Sequence, residues 1–279
     1  MKVSICIPVL ARDALFERCR ASLERSVAAA GGRAEVEFVV VEGVSPVSAA
    51  RNECLRRATG DWIAWVDGDD EVSGGWYPEI LRALENAECT ESETDDILID
   101  MVFVRRNSET VHCYGRGPTL KPQVVVADVL RNVRLGGHLV RHVSRRCLWK
   151  GMTFDDVCVL EDSLVLPRVL ARARKIAYVA KPLYRYIVRE GSLCNGGPER
   201  QREIFRIAVR RAEEVGGPAN IGTMVCAYNR LYDRADADGA ARRWIRRHLV
   251  QALADGEVPW KWKLKFALAS LGVMVRRPK

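Results

Sequence analysis

The chain reads as an α/β protein, a mostly parallel sheet flanked by helices, with a helical and basic extension at its C-terminal end. Two observations predict this. Short apolar runs bounded by turn residues alternate with stretches whose apolar positions recur every three or four residues, the pattern of strands and helices in βα units. Charge is also uneven: residues 1–197 carry 27 basic and 27 acidic side chains, residues 198–279 carry 17 and 9, so the whole net charge of +8 lies in the second stretch. An appended segment with its own anionic partner, such as a membrane surface, is the expectation.

The elements follow in order. Val3–Val9 is a buried strand that stops near Pro8. Asp13 caps a helix with apolar Leu15, Cys19, Leu23 and Val27 on one face, closed by Gly31-Gly32. Val36–Val41 is a second strand. Ser45-Pro46 then starts a helix, Ser as cap and Pro in the first turn, running through Leu55 towards Gly60. Trp62–Val66 is a third strand and Trp76–Ala87 a helix, with an acidic loop over 88–96 before a strand at Ile97–Val104. Further on, Val124–Val133 and Glu161–Ala173 have helical periodicity, the second interrupted by Pro167. Ile176–Val179 and Leu183–Val188 read as two short strands around Pro182. From Glu199 the pattern is helical and basic, with a Gly-Pro break at 216–218.

Composition excludes several classes. Apolar residues make up 48% and charged ones 29%, as in an ordinary globular protein. The nine cysteines are scattered singly, without a C-x-x-C pair, which argues against a zinc cluster or disulfide framework and suits a reducing cytoplasm. No signal peptide and no bilayer-spanning window are expected. With residues 1–197 neutral and no nucleic-acid motif, nucleic acid is not an expected partner.

The chemistry concentrates at Trp65–Val72, W-V-D-G-D-D-E-V, where an apolar strand ends in three carboxylates. In open α/β sheets ligands bind beyond the carboxyl ends of the strands. Two carboxylates flanking a glycine can hold a divalent ion, and that ion can hold a diphosphate. Taken alone, the cluster reads more readily as a solvated acidic turn before a helix. His138 and His142, four residues apart, read as solvated or packed histidines, since no third metal ligand is near. Tyr184 and Tyr186 alternate as packed strand residues do.

Three stretches together resemble family 2 glycosyltransferases of the GT-A fold. These are V-S-I-C-I-P-V near the start, V-S-A-A-R-N-E-C-L-R-R-A-T-G-D-W-I-A-W-V-D-G-D-D at 47–70 and E-D at 161–162, continued by K-I-A-Y-V-A-K-P-L-Y-R-Y-I-V-R-E-G-S at 175–192. The last stretch is similar to bacterial members that build surface polysaccharides. The resemblance implies a GT-A domain over 1–197, with a nucleotide-sugar-binding half at 1–105 and an acceptor-binding half at 106–197, and leaves 198–279 as the extension. It implies Asp67 on the ribose of a nucleotide-sugar and Asp69 on a divalent cation, Mg²⁺ or Mn²⁺ by the hardness of the oxygen ligands. Gly68 permits a tight turn and close ligand approach. Asp70 and Glu71 are expected to support the next helix. Pro8, Val9, Glu42, Arg51, Asn52 and Arg189 are expected around the nucleotide-sugar, and Asp162 as the general base of an inverting transfer. Asp155 and Asp156 are competitors outside the E-D pair.

One departure from the family stands out. Val39-Val40-Val41-Glu42-Gly43 runs almost directly into the Ser45 helix, so a βα unit is shortened or deleted, and Leu10 and Ala11 replace the usual Tyr and Asn. A UDP-sugar is the default donor by resemblance, and a saccharide or lipid-linked saccharide the acceptor. A non-catalytic nucleotide-sugar-binding subunit is the alternative that the shortened unit motivates. In the tail, tryptophans alternate with lysines at 260–265, which suits the headgroup region of an anionic membrane or, equally, packing on the domain. The expected location is cytoplasmic, peripheral on the inner face of the membrane.

Overall fold

Strand β1 (Lys2–Val9) pairs in parallel with β2 (Glu35–Glu42) on one side and β3 (Trp62–Trp65) on the other. In the computed structural model, residues 1–89, 92–131, 135–157, 159–189, 203–204, 206–207, 209–210, 239–256 and 258–271 are described. The helices between these strands are α1 (Ala14–Ala28) and α2 (Val47–Arg57). Helix α1 starts as the sequence predicts: Asp13 accepts from the Leu15 and Phe16 amides at 2.9 and 3.1 Å. Helix α2 does not. Pro46, not Ser45, holds the cap position, no side chain caps it, and the Ser45–Pro46 peptide is cis. The Pro46 carbonyl accepts from Ala49 and Ala50 instead.

The rest of the sheet is mixed. A short β4 (Glu71–Val72) follows β3, then α3 (Trp76–Ala87), the long β5 (Thr94–Arg105), β6 (Ser108–His112), β7 (Thr119–Leu120), α4 (Pro122–Arg131), β8 (His142–Arg145), α5 (Glu161–Leu170) and β9 (Lys175–Ile187). The strand order is β2-β1-β3-β8-β5-β9-β4, with β6 on β5 and β7 on β9. The longest ladders, β1 with β2 and β5 with β9, are parallel, whereas β8 runs antiparallel to both of its neighbours. Helices α1 and α3 cover one face through Phe16, Cys19, Leu23, Trp76, Ile80 and Leu84, all buried against Ile5, Ile7 and Trp62.

Two expectations are corrected here. Asp95 and Asp96 lie in β5 and are buried, not in a solvated loop. The two strands around Pro182 are one, β9. Val179 faces Ile99 and Pro182 faces Asp100, so residues 180–181 bulge out where proline has no amide to donate.

The chain divides into two compact units: residues 1–125 with 138–189, and residues 126–137 with 190–279. The described part of the second unit contains α6 (Gly239–Arg247), α7 (Leu249–Ala254) and α8 (Trp260–Leu271). Arg242 and Arg246 donate to the Ser270 carbonyl and Arg242 also to that of Leu271, so two guanidiniums satisfy the C-terminal end of α8. Phe266, Ala269 and Ser270 are buried, while Trp260, Leu264 and Leu271, spaced to share one helix face, are exposed. The Glu199 helix start, the break at 216–218 and the last residues of the tail fall outside the described residues. Among the described residues no helix is long and apolar enough to cross a membrane.

Candidate active site at the ends of the parallel strands

The carboxyl ends of β1, β2 and β3 converge, and the acidic turn hangs from β3. The turn is tight because it presses on β1: a Cβ on Gly68 would lie 2.9 Å from Val9 side-chain atoms and 3.3 Å from the Pro8 carbonyl oxygen. The close approach that demands glycine is therefore to the protein's own first strand. Beside it Gly43, at φ +73°, turns the chain out of β2 and donates to the Val9 carbonyl. Glu42 is exposed, and its carboxylate takes the Arg12 guanidinium at 3.0 Å.

The three acids have different environments. Asp67 accepts from Arg51 Nη2 at 2.8 Å, and its amide donates to the Tyr184 hydroxyl at 3.1 Å. Asp70 is buried, and burial together with the charges of Asp67 and Asp69 pushes its carboxyl well up. It accepts from the Tyr184 hydroxyl at 2.8 Å and the Ile187 amide at 2.7 Å. Asp70 thus fastens the turn to the end of β9, not to the next helix as expected from sequence. Glu71 likewise belongs to β4, where it pairs with Arg185. Asp69 points the other way. Burial and Asp67 raise its carboxyl more than its ion pair with Arg189 lowers it. Arg189 follows β9 directly, and the amide of the preceding Val188 is anchored on the Val104 carbonyl at 2.9 Å.

Arg51 joins this turn to the E-D pair. Its guanidinium is buried, Nη2 on Asp67 and Nη1 on Glu161, 110 residues away in sequence. The two acids hold Arg51 firmly protonated although burial opposes it. Burial pushes the Glu161 carboxyl up, with Asp162 adding to it and Arg51 pulling against it. Asn52, next along α2, uses both ends of its amide on the Phe154 backbone at 2.8 and 3.1 Å. Asp162 lies in the first turn of α5, where the helix dipole favours an anion, and accepts from the Ser163 amide at 2.6 Å.

The sequence-predicted residues Pro8, Val9, Gly68, Asp67, Asp69, Arg189, Arg51 and Asp162 therefore share one region. Asn52 holds a loop, and Glu42 stands at the end of β2 on Arg12. Sequence reasoning missed Glu161 and Tyr184 as partners of the turn. An E-D pair suggests one acid too many for a single base, but nothing local points to Arg51. The histidines separate: His142 Nδ1 lies 2.8 Å from Asp96, and His138 packs on Phe103 and Tyr186.

Comparison with known proteins agrees with this architecture. The S. aureus protein TarS, residues 1–349 in complex with UDP-GlcNAc, superposes with a TM-score of 0.57 at 16% identity, over 97% of this chain and 88% of that one. At such identity the likeness is one of fold, and the fold is of the GT-A type. Residues 24–109 match the family model described as Glycosyl transferase family 2. It is 25% identical over 149 residues to the minor teichoic acid biosynthesis protein GgaB of Bacillus subtilis, covering 52% of this chain and 15% of that protein. It is 41% identical over 63 residues to the succinoglycan biosynthesis protein ExoM of Rhizobium meliloti, covering 22% and 19%. The chain thus spans less than a fifth of the length of either curated relative.

Proposed function

We propose that this protein moves a sugar from a nucleotide-sugar, a UDP-sugar by default, to a saccharide or lipid-linked saccharide in bacterial surface-polysaccharide synthesis. The observation that carries this reading is the single guanidinium joining Asp67 to Glu161, which brings the D-G-D turn and the Glu161-Asp162 pair into one site. In this reading residues 1–197 are the catalytic domain, Asp67 meets the ribose, and Asp162 takes the acceptor proton on the face opposite the leaving group. Pro8, Val9 and Glu42 border the nucleotide.

Asp69 fits a divalent cation in one respect: it is a hard oxygen donor in a desolvated setting that already attracts a cation, Arg189. Among the described residues no group of three or more acidic, His or Cys side chains is placed to hold an ion, so the diphosphate oxygens have to complete the coordination. Mg²⁺ or Mn²⁺ held there would stabilise negative charge on the departing diphosphate. In this reading Arg189, paired with Asp69 here, turns to that diphosphate.

Residues 198–279 form the extension. Its exposed Trp260, Leu264 and Leu271, beside Lys261, support peripheral contact with the inner face of an anionic membrane. Equal binding of the full chain and a chain ending at residue 257 to anionic liposomes would remove this contact.

The central test follows nucleotide release from UDP-, GDP- and dTDP-sugars with Mn²⁺ and extracts containing lipid-linked acceptors. Asp162→Asn is expected to bind the donor but lose at least ~10²-fold in turnover. Near-normal turnover would dismiss Asp162 as the base, and binding without transfer by the unaltered protein would favour a non-catalytic subunit.

A further inference from the structure

Arg51 carries more than its place near a nucleotide suggests. Both of its terminal nitrogens are occupied by carboxylates on different elements, Asp67 after β3 and Glu161 at the start of α5. Its Nε is buried without a hydrogen-bond partner, so the side chain is placed for its fork alone. The guanidinium also lies 5.8 Å from the Phe154 ring centre, and Phe154 is the residue whose backbone Asn52 holds. Two consecutive residues of α2 thus grip both the loop leading to α5 and its first residue. Between these grips sits Leu160, at φ 58° and ψ 22°. A left-handed leucine is strained and persists only where its surroundings impose it.

We propose that Arg51 is a positioning residue that indexes the helix carrying Asp162 to the donor carboxylate Asp67, with Glu161 as the peg on that helix. This rests on the glycosyl-transfer reading and deepens it. Geometry within the site is then set from the donor side: wherever Asp67 holds the nucleotide-sugar, Asp162 is held at a fixed offset from it. A lysine performs this task poorly, because its ammonium is a point charge on a flexible stem, without the rigid fork whose two nitrogens meet the two carboxylates at a fixed spacing. Misplacement of a reacting group by about 1 Å can cost ~10²-fold in rate.

The experiment compares the full chain with Arg51→Lys, Glu161→Gln and the double variant. UDP affinity is read by calorimetry with Mn²⁺, and turnover as UDP released from UDP-GlcNAc. Glu161→Gln leaves Arg51 on Asp67, so UDP affinity should stay within ~3-fold while kcat falls at least ~10-fold. Arg51→Lys loosens both ends, lowering UDP affinity and reducing kcat by ~10²-fold. The double variant should be no worse than Arg51→Lys, since both changes break one link. Wild-type kcat in Arg51→Lys, losses that multiply in the double variant, or losses that vanish after correction for the folded fraction would each overturn the proposal. If the unaltered protein neither binds UDP nor releases it, the UDP-donor reading fails separately. Amide exchange then judges the link: joint loosening of residues 67–70 and 161–166 in Arg51→Lys supports it, and loosening of one alone overturns it.

Discussion

The two halves of the sheet solve the same burial problem differently. In β2-β1-β3 the strand interiors are mostly apolar, Val3, Ile5, Ile7 and Trp62 to Trp65, with buried Ser4 on Glu37 a polar exception, and the acidic turn lies beyond the strand ends. In β8-β5-β9 ionic groups sit inside the strands. Asp96 in β5 meets His142 and Ser144 of β8 at 2.8 and 2.7 Å, and Asp100 meets Arg141 and Tyr178 at 3.0 and 2.7 Å. The first half keeps the carboxylates of its acidic turn beyond the strand ends, within reach of a ligand. The second half carries buried charges whose partners fix one strand order, with β8 wedged antiparallel between two strands that it does not directly follow in sequence.

The contrast is sharpest at Arg141, buried, with Nε on the Ile99 carbonyl at 2.8 Å and Nη2 on Asp100. Arg141→Met leaves Asp100 as an uncompensated buried charge and should destabilise the fold by about 3–5 kcal/mol in urea unfolding. A loss under about 1 kcal/mol would mean that the ionic half is no more tightly specified than the apolar one. Tyr184 lies where the halves are stitched. Tyr184→Phe deprives buried Asp70 of a donor and the Asp67 amide of its acceptor, at an expected cost of about 1–3 kcal/mol. It should also weaken UDP binding, whereas an unchanged UDP affinity would place the stitch outside the donor site.

The smallest effect belongs to the apolar half, at its rim. Burial pushes the Glu37 carboxyl up, but hydrogen bonds from Ser4, Thr59 and Lys2 outweigh it and hold it at about 2. A carboxyl held low contributes stability above its unfolded value, near 4.5, that is lost as pH falls towards 2. Glu37→Gln should therefore flatten the acid limb of stability by about 1 kcal/mol, screened as the site is by solvent. An unaltered acid limb in melting curves between pH 5 and 2 would assign the loss to other carboxylates.

Legibility follows the same division. Strands β1 to β3 and helices α1 and α3 stand in the sequence because an apolar run, a cap or a four-residue spacing is a local signal. Strand β8, His-Val-Ser-Arg, has one apolar residue, and its burial depends on Asp96, forty-six residues earlier. Asp95 and Asp96 read as loop for the same reason: their partners, Arg174 and His142, are remote. In the site, the D-G-D turn and the E-D pair were legible as motifs. The link between them was not, since Arg51 meets Glu161 only once the sheet has formed.

Strand β2, joined to α2 by residues 43–46, is the outermost strand; among the described residues nothing pairs with its far side. An open edge presents a row of amides and carbonyls to any other extended chain. Here that strand bears Glu35, Glu37 and Glu42, paired with Lys2 and Arg12, so a second copy laid alongside would have to accommodate charged side chains at its edge. This edge is guarded by charged side chains, and the colloidal behaviour of the protein rests in part on glutamates that lie outside the acidic turn.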